Sequence, residues 1–164
     1  MEEYKIIKDF ENYEVSNLGN VRNVKTGRII KQQLDKYGYC RLNLYKNEKR
    51  HNKFIHRLVA QAFIENPDDK PVIDHINGDK LNNDVKNIRW ATISENSQNS
   101  KVRKDNTSNI KGVEKKGNKW RSRITIDGIR ITLGYYDTIE EAKEVRVKRA
   151  NEVFGVFVND CEKL

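Results

Sequence analysis

The chain has 164 residues, a net charge of +8 and a pI near 9.4, with 36% hydrophobic and 34% charged residues. That is too polar for one large core and fits small modules with much surface. No window approaches the roughly 18 apolar residues of a membrane span, and the start Met1-Glu2-Glu3-Tyr4-Lys5 lacks the basic-then-apolar run of a secretory signal. Cys40 and Cys161 stand far apart with no CxxC pair, which argues against a disulfide framework or a structural zinc site and for a reducing, cytoplasmic setting. The positive charge is concentrated: ten basic and three acidic residues fall between Lys101 and Arg130. Such a patch is the electrostatic footprint of a nucleic-acid binder, or else a solvated face of a basic protein.

Residues 1–50 read as a small β-rich module. Tyr39–Tyr45 alternates, with Cys40, Leu42 and Leu44 on one face and Tyr39, Arg41, Asn43 and Tyr45 on the other. Gly19-Asn20 and Thr26-Gly27 mark turns. Arg22, Lys25, Arg28 and Lys31 supply charge for backbone phosphates, with Arg22 and Lys25 as candidate DNA contacts. Turn packing accounts for Ser16, Asn17 and Gly19 equally well.

Residues 53–100 read strand, helix, strand, loop, strand, helix. Leu58, Val59, Ala62 and Phe63 have helical spacing, and Asn66-Pro67 stops that helix. Val72–His75 is a short strand, Ile76–Asp84 a loop dense in Asn, Asp and Gly, and Ile88–Thr92 a second strand. Ser94 is the expected N-cap of a polar helix carrying Asn96 and Asn99. Residues 94–109 have almost no apolar side chains, so that helix is expected to run into a solvated linker, basic over 101–109.

Of three histidines, His51 is expected in an exposed basic loop and His56 as a capping or packing residue. His75 differs, because Asp74 precedes it at the end of an apolar strand, before a polar loop. A hard cation takes a few protein oxygens plus water and phosphate, and a neutral imidazole beside it can accept a proton from water. A hydrogen-bonded turn pair is the plainer reading of an isolated Asp-His.

The wider pattern is more specific. Val72-Ile-Asp-His75, Asn77-Gly-Asp-Lys-Leu-Asn-Asn83, Asn87-Ile-Arg-Trp90 and Asn96, with His56-Arg-Leu-Val-Ala60 and Phe63-Ile-Glu-Asn-Pro67 upstream, resemble the HNH homing endonucleases in their His-Asn-Asn form over about residues 53–99. The resemblance implies a ββα-metal motif, with His75 as general base, Asn87 pinning the loop, and Asp74 and Asn96 holding one Mg²⁺ or Mn²⁺. An oxygen donor at Asn96, where the family often has His, favours those ions over zinc. Tyr4-Lys-x-Ile-x-Asp-Phe10 and Tyr13-Glu-Val-Ser-Asn-Leu-Gly-Asn-Val-Arg-Asn23 resemble the NUMOD segment of type four that precedes many such nucleases, over about residues 2–45.

Residues 110–157 form the third module. Strands are expected at Ile110–Glu114, Trp120–Ile126 and Ile129–Tyr135, the last two joined by an Asp127-Gly128 hairpin turn. A helix follows from Thr138, whose spacing to Glu141 fits a capping box, to Gly155. Trp120, Ser122, Ile124, Ile126, Ile129, Ile131 and Leu133 are expected on one face, against a helix stripe of Ile139, Ala142, Val145, Ala150 and Val153. Arg121, Arg123, Thr125, Arg130 and Thr132 then occupy the opposite face, where a sheet laid in the major groove can read base edges. Asn109-Ile-Lys-Gly-Val113, Lys119-Trp-Arg-Ser-Arg-Ile124 and Leu133-Gly-Tyr-Tyr-Asp137 resemble the AP-two/ERF DNA-binding domain, which adds Lys111 and Lys116 to the expected DNA face. Glu114 departs from the plant pattern, which has Arg there.

The expected fold is therefore α+β: a β-rich N-terminal module, a central ββα-metal motif, and a three-stranded antiparallel sheet packed on one helix. The expected function is site-specific, metal-dependent cleavage of double-stranded DNA by a monomer, in a phage or bacterial host cell, leaving 3′-hydroxyl and 5′-phosphate ends. No membrane partner is expected. A non-enzymatic DNA-binding regulator is the alternative.

Overall fold

A computed structural model describes residues 1–102 and 106–163, and the chain divides into two compact units, 1–91 and 92–164. Arg103, Lys104 and Asp105 of the expected basic linker lie outside the described residues. The fold is α+β, and no helix among the described residues is long and apolar enough to cross a membrane.

In the first unit, β1 (Tyr4–Ile7), β2 (Phe10–Ser16) and β3 (Val21–Asn23) form an antiparallel sheet in that order. A second sheet holds β4 (Gln33–Leu34), β5 (Cys40–Lys46) and β6 (Lys49–Phe54). Helix α1 (Ile55–Phe63) follows, then the antiparallel pair β7 (Val72–His75) and β8 (Ile88–Ala91). Cys40, Leu42 and Leu44 of β5 are buried, as the period-two alternation predicts. His51 is not in a loop: it sits in β6 opposite Leu44, its ring edge-on to Phe10 at 5.3 Å.

Ile7, Phe10, Val15, Val21, Leu42 and Leu44 share a single core with Ile55, Leu58, Val59, Ile73 and Ile88. Three-stranded sheets this short cannot bury their apolar faces alone, and α1 supplies the missing cover with its buried face. Residues 1–50 and 53–91 therefore share one core within the first unit.

The second unit begins with α2 (Ile93–Gln98), capped by Thr92 rather than by the expected Ser94. Thr92 Oγ1 accepts from the Glu95 amide at 3.1 Å, and Glu95 Oε2 accepts from the Thr92 amide at 2.7 Å. That reciprocal pair leaves Ser94 nothing to cap. Strands β9 (Val113–Lys116), β10 (Lys119–Ile126) and β11 (Ile129–Tyr136) form an antiparallel sheet ordered β11-β10-β9, and α3 (Ile139–Phe154) packs on it. β9 starts three residues later than expected because Asn109 and Gly112 adopt positive φ (55° and 72°). A side chain at Gly112 would collide with the Arg123 carbonyl and the Arg146 guanidinium. Asp127 and Gly128, at φ 49° and 79°, make the expected left-handed hairpin turn.

The expected continuous apolar face is broken. The register shifts between Ser122 and Arg123, so Arg123 pairs with Thr132, Ser122 with Gly134, and Leu133 is the extra residue of a bulge. Leu133 still packs on the core of Ile124, Ala150, Phe154 and Val158. Ile129 and Ile131 share the face of Ile126 and Ile124 but are 67% and 39% exposed. β11 is the sheet edge, and α3 lies mainly over β10. The buried stripe of α3 is Ala142, Arg146, Ala150 and Phe154, while Ile139, Val145 and Val153 are only half-buried.

Candidate active site

β7 ends in Asp74 and His75, which are 3% and 5% exposed. Antiparallel pairing sets Asp74 opposite Arg89 on β8, and the guanidinium reaches Asp74 Oδ2 through Nε at 2.8 Å and Nη2 at 2.7 Å. Buried charged groups are found paired and hydrogen-bonded, as here.

The loop after β7 is tied by asparagine side chains. Asn87 Oδ1 accepts from the Asn77 amide at 3.1 Å, and Asn87 Nδ2 donates to the Asn82 carbonyl at 2.8 Å. Its backbone carbonyl accepts from Ile76 at 2.8 Å, and Gly78 (φ 67°) donates to the His75 carbonyl at 2.8 Å. His75 Nε2 lies 3.3 Å from Asn83 Oδ1. Asn83 Nδ2 donates to the Leu81 carbonyl at 3.0 Å, which makes Oδ1 the acceptor toward the ring. Nε2 therefore carries the proton and Nδ1 the lone pair. Burial lowers the His75 pKa and Lys80 adds to that, against Asn83, Asp74 and Asp79, which favour the charged ring.

Two rings stand against His75: Tyr39 at 6.0 Å and His56 at 5.3 Å between centroids. His56, in the first turn of α1, is itself stacked on Phe54 at 5.5 Å. Its burial, with His75 and Arg57 nearby, lowers its pKa to about 3, Asp35 opposing. Tyr39, Asn83 and Arg89 escape sequence reading as site residues, because each depends on a loop closure or a strand register that no local pattern encodes.

Asn96 lies exposed on α2 in the second unit. Asp74 at the end of β7 carries a carboxylate and Asn96 on α2 a carboxamide, each by itself an oxygen donor of the kind a hard divalent cation takes. Among the described residues no three His, Cys, Asp or Glu side chains are arranged to hold an ion.

In the second unit Arg121, Arg123 and Thr125 lie on the sheet face opposite Ser122 and Ile124, with Arg130 and Thr132 paired beside them on β11. Glu114 lies directly across from Arg121. One Glu114 oxygen accepts from Arg121 Nε at 2.8 Å and lies 3.3 Å from Arg123 Nη1. Thr125, Arg130, Thr132 and Lys116 are exposed.

Lys111 does not join this face. Its ammonium donates to the carbonyls of Gln98 and, at 2.9 Å, Ser100, and stands 3.7 Å from Glu162, whose other oxygen is 3.0 Å from Arg146. The carbonyls left open at the end of α2 draw it inward. Near the N-terminus, Arg22 is held by Glu14 at 2.6 Å and lies 3.7 Å over the Tyr4 ring, while Lys25 is exposed in a turn that Asn23 closes.

A NUMOD4 motif model matches residues 2–45, and an HNH endonuclease model matches residues 53–98. The uncharacterized HNH endonuclease L247 of Acanthamoeba polyphaga mimivirus is 46% identical over 97 residues, covering 57% of this chain and 24% of L247. DNA endonuclease I-HmuI of Bacillus phage SP01 is 42% identical over 102 residues, covering 62% of this chain and 59% of that protein. The matches thus span less than two thirds of either relative. A solved structure of DNA binding and cleavage by the HNH homing endonuclease I-HmuI superposes with a TM-score of 0.57 at 34% identity, over 93% of this chain and 83% of that one.

Proposed function

The chain belongs to the HNH endonuclease family, and from that premise we propose that it is a site-specific, divalent-metal-dependent DNA endonuclease of the homing type. The observation that carries this reading is the buried Asp74-His75 pair, with the His75 tautomer set by Asn83 and the loop tied by Asn87.

His75 accepts a proton from water at Nδ1 and so generates the nucleophile beside the scissile phosphate. Its low basicity, a result of burial, keeps the ring neutral and ready at neutral pH. Asn87 holds the loop that carries Asn83, and Asn83 keeps the proton on Nε2. Arg89 orients the Asp74 carboxylate through its two contacts with Oδ2. Asp74 would give Mg²⁺ or Mn²⁺ a carboxylate ligand, with Asn96 the second oxygen donor expected from the family resemblance, and the ion would neutralise charge on the phosphate and on the leaving 3′-oxygen. Hydrolysis leaves 3′-hydroxyl and 5′-phosphate ends, and one such site per chain makes a monomer a nicking enzyme.

Arg121, Arg123, Thr125, Arg130, Thr132 and Lys116 form the proposed double-stranded DNA face, with Lys25 as a further phosphate contact and Arg22 presented on Tyr4. Glu114 tempers that face by occupying two arginines. Its carboxyl is held below the usual range by the hydrogen bond from Arg121 and then by the charge of Arg123, so it stays ionised. Glu114→Gln should raise affinity for unrelated duplex several-fold and steepen the salt dependence by about one unit of log K per log salt. Filter binding across a salt series measures both.

Supercoiled plasmid carrying the DNA around the gene's own locus tests the enzyme. Nicking or linearisation with Mg²⁺, blocked by EDTA and mapping to one position, is the expected result. Sequence-specific binding without cleavage would instead establish a regulator.

A further inference from the structure

We propose that the N-terminal segment, which its sequence marks as a separate DNA-contacting module, supplies part of the nuclease centre: Tyr39, with His56 of α1, is a positioning residue that holds the His75 imidazole in its working orientation. This deepens the reading of His75 as general base and rests on it.

The need arises from the ring itself. The imidazole torsion is broad and roughly two-fold, and the contact of Nε2 with Asn83 lies at 3.3 Å, toward the long end of hydrogen-bond distances. A base must keep one nitrogen aimed at water, and misplacement by about 1 Å costs up to ~100-fold in rate. Flat side chains packed against the ring restrict that torsion sterically. Tyr39 meets the His75 ring at a 38° tilt, and His56 meets it edge-to-face at 74°. Tyr39 and His56 also brace each other at 5.2 Å, and Phe54 backs both, at 6.2 Å and 5.5 Å. The four rings form one packed cluster, drawn from the β4–β5 connection, β6, α1 and β7.

Tyr39 is itself anchored from two sides. Asp35 Oδ1 accepts from the Tyr37 and Tyr39 amides at 2.8 and 2.9 Å, closing the turn at Gly38 (φ 81°). Lys80, from the loop that follows His75, lies 4.4 Å over the Tyr39 ring and donates to the Tyr37 carbonyl at 2.9 Å. That cation–π contact clasps the N-terminal turn to the catalytic loop. The same loop carries Asn83, so the hydrogen-bond partner and the aromatic wall of His75 are held to each other. His56 is 7% exposed and has no hydrogen-bond partner at Nδ1. An orphaned polar atom in a core is a cost that a leucine there would avoid, and its retention beside His75 fits a role for the flat ring.

The test is a double-mutant cycle on the full chain. Tyr39→Ala should lower the single-turnover cleavage rate by about 10–100-fold, with the Kd for target DNA within about two-fold of wild type. Tyr39→Phe should retain the rate, and Tyr39→Leu, which keeps bulk for folding but not the flat wall, should lose it. In a His75→Ala background, Tyr39→Leu should have no further effect, because it acts through His75. Nitrogen-15 NMR of the imidazole should show one tautomer, protonated at Nε2, in wild type and Tyr39→Phe, and a mixture in Tyr39→Leu. Equal losses with and without His75, or a loss carried by Kd, would overturn the proposal and make Tyr39 a packing residue or a DNA contact. If His75→Ala itself cleaves at the wild-type rate, the base assignment fails, while the NMR tautomer still judges Tyr39.

Discussion

His75→Ala should cut the single-turnover rate of DNA cleavage by roughly 10²–10⁴-fold, the usual share of a general base, and leave DNA affinity nearly unchanged. The ring is 5% exposed, so it offers DNA little surface to lose. Removing it also deletes no buried charge, because burial keeps the imidazole neutral. Folding should therefore survive, at the cost of a cavity beside Tyr39 and His56. Quenched-flow cleavage with protein in excess, paired with binding in Ca²⁺, separates the two quantities. A rate within three-fold of wild type would remove His75 from the chemistry. By contrast, Asp74→Ala is the weaker experiment, since it also removes the buried ion pair with Arg89 and confounds folding with catalysis.

What could be read from the sequence follows the range of the physics involved. Period-two burial in β5, the Asp127-Gly128 turn and the Thr138/Glu141 capping box are local, and each depends on fewer than ten consecutive residues. Asp74 and His75 stand out because a strand end meets an Asn-rich loop within one short stretch. The Arg89 pairing needs the β7–β8 register, fixed only when the intervening loop closes on Asn87. Tyr39 reaches His75 across 36 positions of chain, through a core that joins segments whose motifs look separate. Lys111 reads as one more cation in a basic stretch until the open carbonyls after α2 are seen to claim it. Glu114 is legible as an oddity on a basic face, but its two arginine partners follow from the β9–β10 pairing.

Stability should fall steeply in mild acid, and His56 should account for much of the fall. Its pKa is about 3 in the folded chain against 6.5 for an unhindered histidine, with burial the main cause. The groups facing it are His75 and Arg57, which disfavour a second positive charge, and Asp35, which favours it weakly; Tyr39 and Phe54 cover the ring with apolar surface. Above pH 6.5 neither folded nor unfolded His56 binds a proton, so its contribution is fully present. Below that, the unfolded chain takes up a proton that the folded chain refuses, and stability falls by about 1.4 kcal/mol per pH unit until the folded ring titrates. Over that window the loss is several kcal/mol, comparable with the whole stability of a small domain. Urea unfolding followed by Trp90 fluorescence in a Trp120→Phe background at pH 7.5, 6 and 5 measures the slope. His56→Phe keeps a flat ring without a titrating nitrogen, and it should flatten the profile by about one proton. An unchanged slope in that variant would transfer the acid sensitivity to His75, the other buried imidazole of the cluster.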